Sequence, residues 1–400
     1  MSYFYIPKNY TNLSPSFVCV DASTTDTEDN QTLKVYQSRI ETLREKNEFV
    51  WAAYRDEYFY YRRVFNIVCD TTPQCLTKFG AIHKSFYVMW ELNNIFKFMD
   101  TYKTVRRIDT FHFSKCQPGI IQFMNTRRPD SADEHVGIYG DEWRKNTDYL
   151  RKHDNIVFNE NISYNIVNQD TLNYFCGKYI QRFDMITFLS NDEARDPNPT
   201  IPNLTEKDII TIKTIYSLLM QKKGGTLIFS IPEIFDDAYY EILYLVSSCY
   251  NKVIVTKPVL IENTNNRKVV ICSEYAENYD PYTLINLASK VINKVRERQT
   301  TDVRVKIVDC QIPSFFLNKL YEINVIMFQQ MIDATMSVIN LKGAVNIGEQ
   351  LEKLNKRTTQ KSMFWCIQNN FDYDNGVTGE MGGGRESGGR ESGGRESGGR

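Results

Sequence analysis

Lys222-Lys223-Gly224-Gly225-Thr226-Leu227-Ile228-Phe229-Ser230-Ile231 reads as a helix stop followed by a buried strand, because two glycines precede an apolar, β-branched run. Upstream, Thr205 to Lys222 is predicted as a helix. Thr205 can cap it, Asp208 supplies the acid at the third helical position, and Ile209, Ile212, Ile215, Tyr216 and Leu219 form one face. Downstream, the pattern predicts a helix over Asp237 to Cys249 and strands over Lys252 to Thr256 and Val269 to Cys272. Between Asp196 and Pro202 three prolines rule out either regular element.

The alternation continues toward the N-terminus. Strands are predicted at Ile108 to Phe113, Asn155 to Phe158 and Phe183 to Leu189, with helices beginning at Ile120 and spanning Leu172 to Gln181. Together these give an α/β fold with an open, mostly parallel Rossmann-like sheet and helices on both faces. Residues 1–35 are polar, turn-rich and acidic at Asp26 to Asp29, and read as a loosely packed arm. Helices are predicted over Leu33 to Tyr61 and Thr77 to Met99, the second with Phe86, Met89, Trp90, Ile95 and Phe98 as a core stripe. Beyond Tyr282 the chain turns mainly helical, interrupted by a strand at Val303 to Val308. Residues 382–400 repeat a Gly-Gly-Arg-Glu-Ser unit that has no apolar side chain to bury. The divisions are thus an arm (1–35), a helical segment (36–100), the α/β domain (101–280), a mainly helical extension (281–372) and a disordered tail (373–400).

A net charge of −1 gives no global attraction to nucleic acid, so any RNA contact must come from a local patch. Nine cysteines, none in a CxxC pair, and four histidines without an HxxxH unit predict reduced thiols in an intracellular, cytoplasmic setting and no metal site. No basic region precedes an apolar run at Met1, and no apolar stretch reaches the ~20 residues a bilayer requires; the chain is expected to be neither secreted nor membrane-bound.

The order Gly224-Gly225, helix, Lys257-Pro258, Asn265 and the Val269 strand resembles the C-terminal half of FtsJ-like RNA 2'-O-methyltransferases. The likeness is to the cap-type branch found in eukaryotes and large DNA viruses, and it covers about residues 80–275. It implies S-adenosylmethionine as cofactor and a Lys-Asp-Lys-Glu tetrad that holds a ribose hydroxyl in line and draws off its proton. The four positions fall here on Val88, Ser190, Ser230 and Arg267, none of which retains the family residue. Asp192, two residues past Ser190, is a fallback acid. On the cofactor side, Pro118-Gly119 survives from the glycine loop that lets backbone approach the cofactor, Lys115 stands where an acid is expected, and Asp170 matches an aspartate that contacts adenine; as a residue preceding Leu172 it is equally a helix cap.

Three readings follow. One is a catalytically inactive methyltransferase-fold protein, binding no cofactor and acting as a structural or regulatory subunit with protein partners in RNA processing, including mRNA capping, or in a virion. The second is an active enzyme with a displaced set drawn from Asp192, Lys222, Lys223 and Lys257. The third is a non-catalytic RNA-binding protein that uses Arg62-Arg63, Arg106-Arg107, Arg127-Arg128 and the tail on phosphates.

Overall fold

The structure is a computed structural model that describes residues 2–23, 35, 38, 76–77, 79–113, 118–137, 153–158, 166–189, 203–232, 236–261, 267–298, 303–342 and 347–373. Its strands are β1 (Ser2–Ile6), β2 (Phe17–Ser23), β3 (Asp109–His112), β4 (Glu134–Gly137), β5 (Ile156–Phe158), β6 (Phe183–Phe188), β7 (Gln221–Ile231), β8 (Tyr250–Lys257), β9 (Lys268–Tyr275) and β10 (Val303–Val308). The helices are α1 (Ser85–Phe96), α2 (Pro118–Arg127), α3 (Gln169–Lys178), α4 (Glu206–Met220), α5 (Asp237–Cys249), α6 (Pro281–Glu297), α7 (Ser314–Lys342) and α8 (Ile347–Gln368).

Among the described residues, eight strands form one sheet in the order β1-β8-β9-β7-β6-β3-β4-β5. The pairs from β5 through β4, β3 and β6 to β7 are all parallel. β9 is antiparallel to both β7 and β8, so β8 runs with the parallel set, and β1 closes the edge antiparallel to β8. From β3 the chain winds outward to β4 and β5, then crosses to the other side of β3 to make β6. Ligands of open α/β sheets bind at the carboxyl ends of the strands where the order reverses, which here lies between β3 and β6. The fold is Rossmann-like.

Strand alternation divides the core in two. Phe111, Phe113, Ile186, Phe188, Leu227, Phe229 and Val270 face the helices α3, α4, α5 and α6. On the other face Met185, Ile228, Ile254 and Ile271 pack with α1, α2 and the end of α8 around Trp365 and Phe371. Residues of the 36–100 and 281–372 segments therefore share cores with the sheet.

Several local expectations are corrected. α4 ends at Met220, and Gly224-Gly225 lie inside β7: Phe183 pairs with Gln221 and Met185 with Thr226, so Lys222, Lys223 and Gly224 bulge from the ladder. Gly224 has φ +79°, a conformation open to glycine, and a Cβ on Gly225 would lie 2.8 Å from the Asp184 carbonyl. The helix expected over Thr77 to Met99 is confined to α1, ending where Lys97 turns left-handed at φ 54°. The loosely packed arm is instead partly ordered into β1 on the main sheet and β2, which pairs antiparallel with β10. β10 spans the predicted Val303–Val308. The helix expected over Leu33 to Tyr61, apart from Val35 and Ser38, lies outside the described residues, as do Arg62-Arg63, the Asp196 to Pro202 loop and the tail. No helix among the described residues is long and apolar enough to cross a membrane.

Candidate functional site

The carboxyl ends of β3 and β6 are held together by ladder bonds that run past the strands: Phe113 N–H donates to the Thr187 carbonyl at 2.9 Å. β6 continues into Leu189, whose carbonyl accepts from Ser230 Oγ at 2.9 Å near the end of β7. One tetrad-equivalent position, Ser230, is thereby brought beside the residue preceding another, Ser190. Ser190 itself and Asp192 lie outside the described residues, as does Lys115.

Ser230 is 2% exposed, and its hydroxyl is engaged with backbone. Val88 is buried in α1 among the apolar residues of the second core. Arg267, just before β9, forms an ion pair with Glu206 at the start of α4, 2.7 Å apart. A guanidinium there is already neutralised and cannot supply the negative charge of the family's glutamate.

Gly119 opens α2 directly after the β3 loop. A Cβ on it would come 2.6 Å from the His83 carbonyl and 2.8 Å from the Phe86 nitrogen, so the missing side chain is what lets the first turn of α2 lie against the start of α1. Asp170 is exposed in the first turn of α3; the cap is Asn168, whose Oδ1 accepts from Asp170 N–H at 3.1 Å.

The displaced-set lysines separate. Lys222 is paired with Asp184 Oδ1 at 2.8 Å, at the amino end of β6 and thus at the end of the sheet opposite the switch point. Lys223 shares that bulge. Lys257 does lie at the carboxyl end, as the buried last residue of β8.

A lysine missed by the pattern lies closer to the switch point. Lys213, fully buried in α4, donates from Nζ to the Phe113 carbonyl at 3.2 Å, with its ammonium 5.8 Å from the Phe188 ring. The apolar face read from the sequence does not include Lys213, but α4 is buried all round from Asp208 onward. Its signal in the sequence was its isolation, the sole charge between Asp208 and the end of the helix.

Two of the four histidines also converge here, through tertiary pairing that spacing could not show. On the α2 side of the sheet, His112 Nδ1 is 2.8 Å from Thr187 Oγ1 and His112 Nε2 is 2.9 Å from Thr110 Oγ1. Thr110 Oγ1 is 2.8 Å from His135 Nδ1, and His135 Nε2 donates to Asn125 Oδ1 at 3.1 Å. Asn125 Oδ1 only accepts, which fixes the direction along the file: Thr187 to His112, His112 to Thr110, Thr110 to His135, His135 to Asn125. Each of the four ring nitrogens has a partner with both imidazoles neutral, while Asn125 Nδ2 is buried without one among the described residues. Burial pushes His112 well below the ordinary histidine range and His135 down to about 4.

No family model matches the chain, and no curated protein matches it. Among solved structures it is similar to the carbon methyltransferase CurJ, with TM-score 0.34 and 11% identity over 60% of this chain and 71% of that one. It is similar also to a ribosomal RNA methyltransferase from Plasmodium falciparum, with TM-score 0.31 and 15% identity over 48% and 97% of the two chains. A third likeness is to human methyltransferase-like protein 13 in complex with SAH, with TM-score 0.32 and 12% identity over 55% and 94%.

Proposed function

We propose that this chain is a methyltransferase-fold protein of FtsJ-like descent that has kept the scaffold and lost the methyl-transfer chemistry. It would serve as a structural or regulatory subunit, with protein partners, in RNA processing or a virion. The observation that carries the reading is the state of Ser230. Where the resemblance requires a lysine amine to reach a ribose hydroxyl, a short side chain spends its only polar group on the Leu189 carbonyl. Val88 in the core and Arg267 paired with Glu206 support the same conclusion, since neither offers a base or an acid to a substrate.

The cofactor side supports it too. Gly119, the surviving glycine, is taken up by contact with α1, and Asp170 sits in the first turn of α3 behind its cap. Isothermal titration of the full chain with S-adenosylmethionine tests this: no saturable heat is expected at millimolar cofactor. A saturable isotherm would overturn the claim that the cofactor site is gone.

One observation favours the active alternative, namely the burial of Lys213 beside the switch point. Its amine, however, is directed at a main-chain carbonyl, as suits a brace between α4 and β3.

A further inference from the structure

At the end of the sheet remote from the switch point, beyond the last turns of α1 and α2, lies a pocket of about 520 Å³ whose lining, among the described residues, carries five cations and two carboxylates. In a chain of net charge −1 this is a local reversal of sign. The carbonyl ends of two helices attract cations by themselves, and two of the five have structural duties. Arg128 clamps Asp133 at 2.7 Å and donates to the Tyr102 and Val105 carbonyls, while Lys103 pairs with Asp100 at 3.0 Å.

Lys97, Arg106 and Arg127 remain. The Arg127 guanidinium carbon sits over the Trp90 ring, 3.6 Å from its centroid, with Nη2 donating to Asn94 Oδ1 at 2.9 Å and Nε buried without a partner among the described residues. Burial lowers its proton affinity, so an anion in the pocket would relieve a desolvated charge. Stacking on Trp90 removes the rotamer freedom that a phosphate contact would otherwise have to freeze out. Lys97 and Arg106 are exposed at the rim.

We infer that this pocket binds a phosphate ester, with Arg127 as the fixed planar donor and Lys97 and Arg106 as the rim cations. The inference rests on the pocket alone and stands or falls independently of methyl transfer. The chemistry is shared by the backbone of single-stranded RNA and by a free mononucleotide.

The test is fluorescence anisotropy of a labelled oligouridylate on the full chain, across a series of salt concentrations. The comparison is with Lys97→Glu/Arg106→Glu, checked for an unchanged melting temperature; Lys97→Gln/Arg106→Gln substitutes if the reversal does not fold. The double reversal is expected to weaken binding about tenfold or more, and to reduce the slope of log affinity against log salt by about 0.7 for each cation lost. Displacement of the oligomer by uridine monophosphate would assign the site to a mononucleotide; displacement by unlabelled oligomer alone would assign it to the RNA backbone. Wild-type protein with no salt-dependent binding, or a folded double variant with wild-type affinity and slope, would overturn the inference.

Discussion

His112 and His135 occupy a file in which each nitrogen already has its one role, and a proton added to either ring gives an acceptor nitrogen a hydrogen where a threonine hydroxyl is donating. Both rings are buried and their proton affinities are depressed, from the ordinary 6.5 to about 4 for His135. The sign follows from linkage. Below pH 6.5 the unfolded chain takes up protons that the folded chain refuses, so stability is full above that value and is lost as pH falls toward 4, by up to about 1.4 kcal/mol per pH unit for each histidine. Urea midpoints measured at about pH 7 and pH 5 should show a clear drop at the lower value; equal midpoints would mean the file is not held neutral. None of this was legible in the sequence, where the two histidines are 23 residues apart and belong to no motif. They meet because β3 and β4 pair in parallel, with Thr110 opposite His135.

At the scale of elements, the sequence was most legible where local chemistry and periodicity agree. The capping box at α4 is present as read: Thr205 Oγ1 accepts from Asp208 N–H at 3.3 Å, and Asp208 Oδ2 accepts from Thr205 N–H at 2.9 Å. Gly224-Gly225 were misread because a helix stop and a strand bulge both call for glycine, and only the pairing of β6 with β7 decides between them. β1 was missed for a related reason: its burial alternates along an edge strand, and pairing with β8 supplies the order that its polar neighbours obscure. Gly119 gives an element-level prediction. Gly119→Ala forces a methyl against backbone of α1 and should destabilise the fold by about 1–3 kcal/mol, as overpacking does. A stability unchanged in urea denaturation would return the glycine to the loop role that the resemblance implies.

Across the whole molecule, buried ion pairs fasten peripheral segments to the sheet layers. Arg304 of β10 meets Glu241 of α5 at 2.7 Å with both side chains under 10% exposed, and Glu241 Oε2 also accepts from Ile307 N–H at 2.9 Å. Burial pushes the Glu241 carboxyl up, with Arg304 opposing. Arg304→Ala strands that carboxylate and should cost about 3–5 kcal/mol in chemical denaturation, whereas replacing both partners by apolar residues of similar volume should cost far less. An equal loss in both variants would show that packing of the β2–β10 ribbon, and not charge, holds it. The same scale carries the central claim, that a sheet with its switch point intact no longer transfers methyl groups. The direct measurement is transfer of radiolabelled methyl from saturating S-adenosylmethionine to capped RNA by the full chain. The account predicts no counts above a protein-free blank; transfer to the 2'-hydroxyl that disappears in Asp192→Ala or Lys213→Met would contradict it.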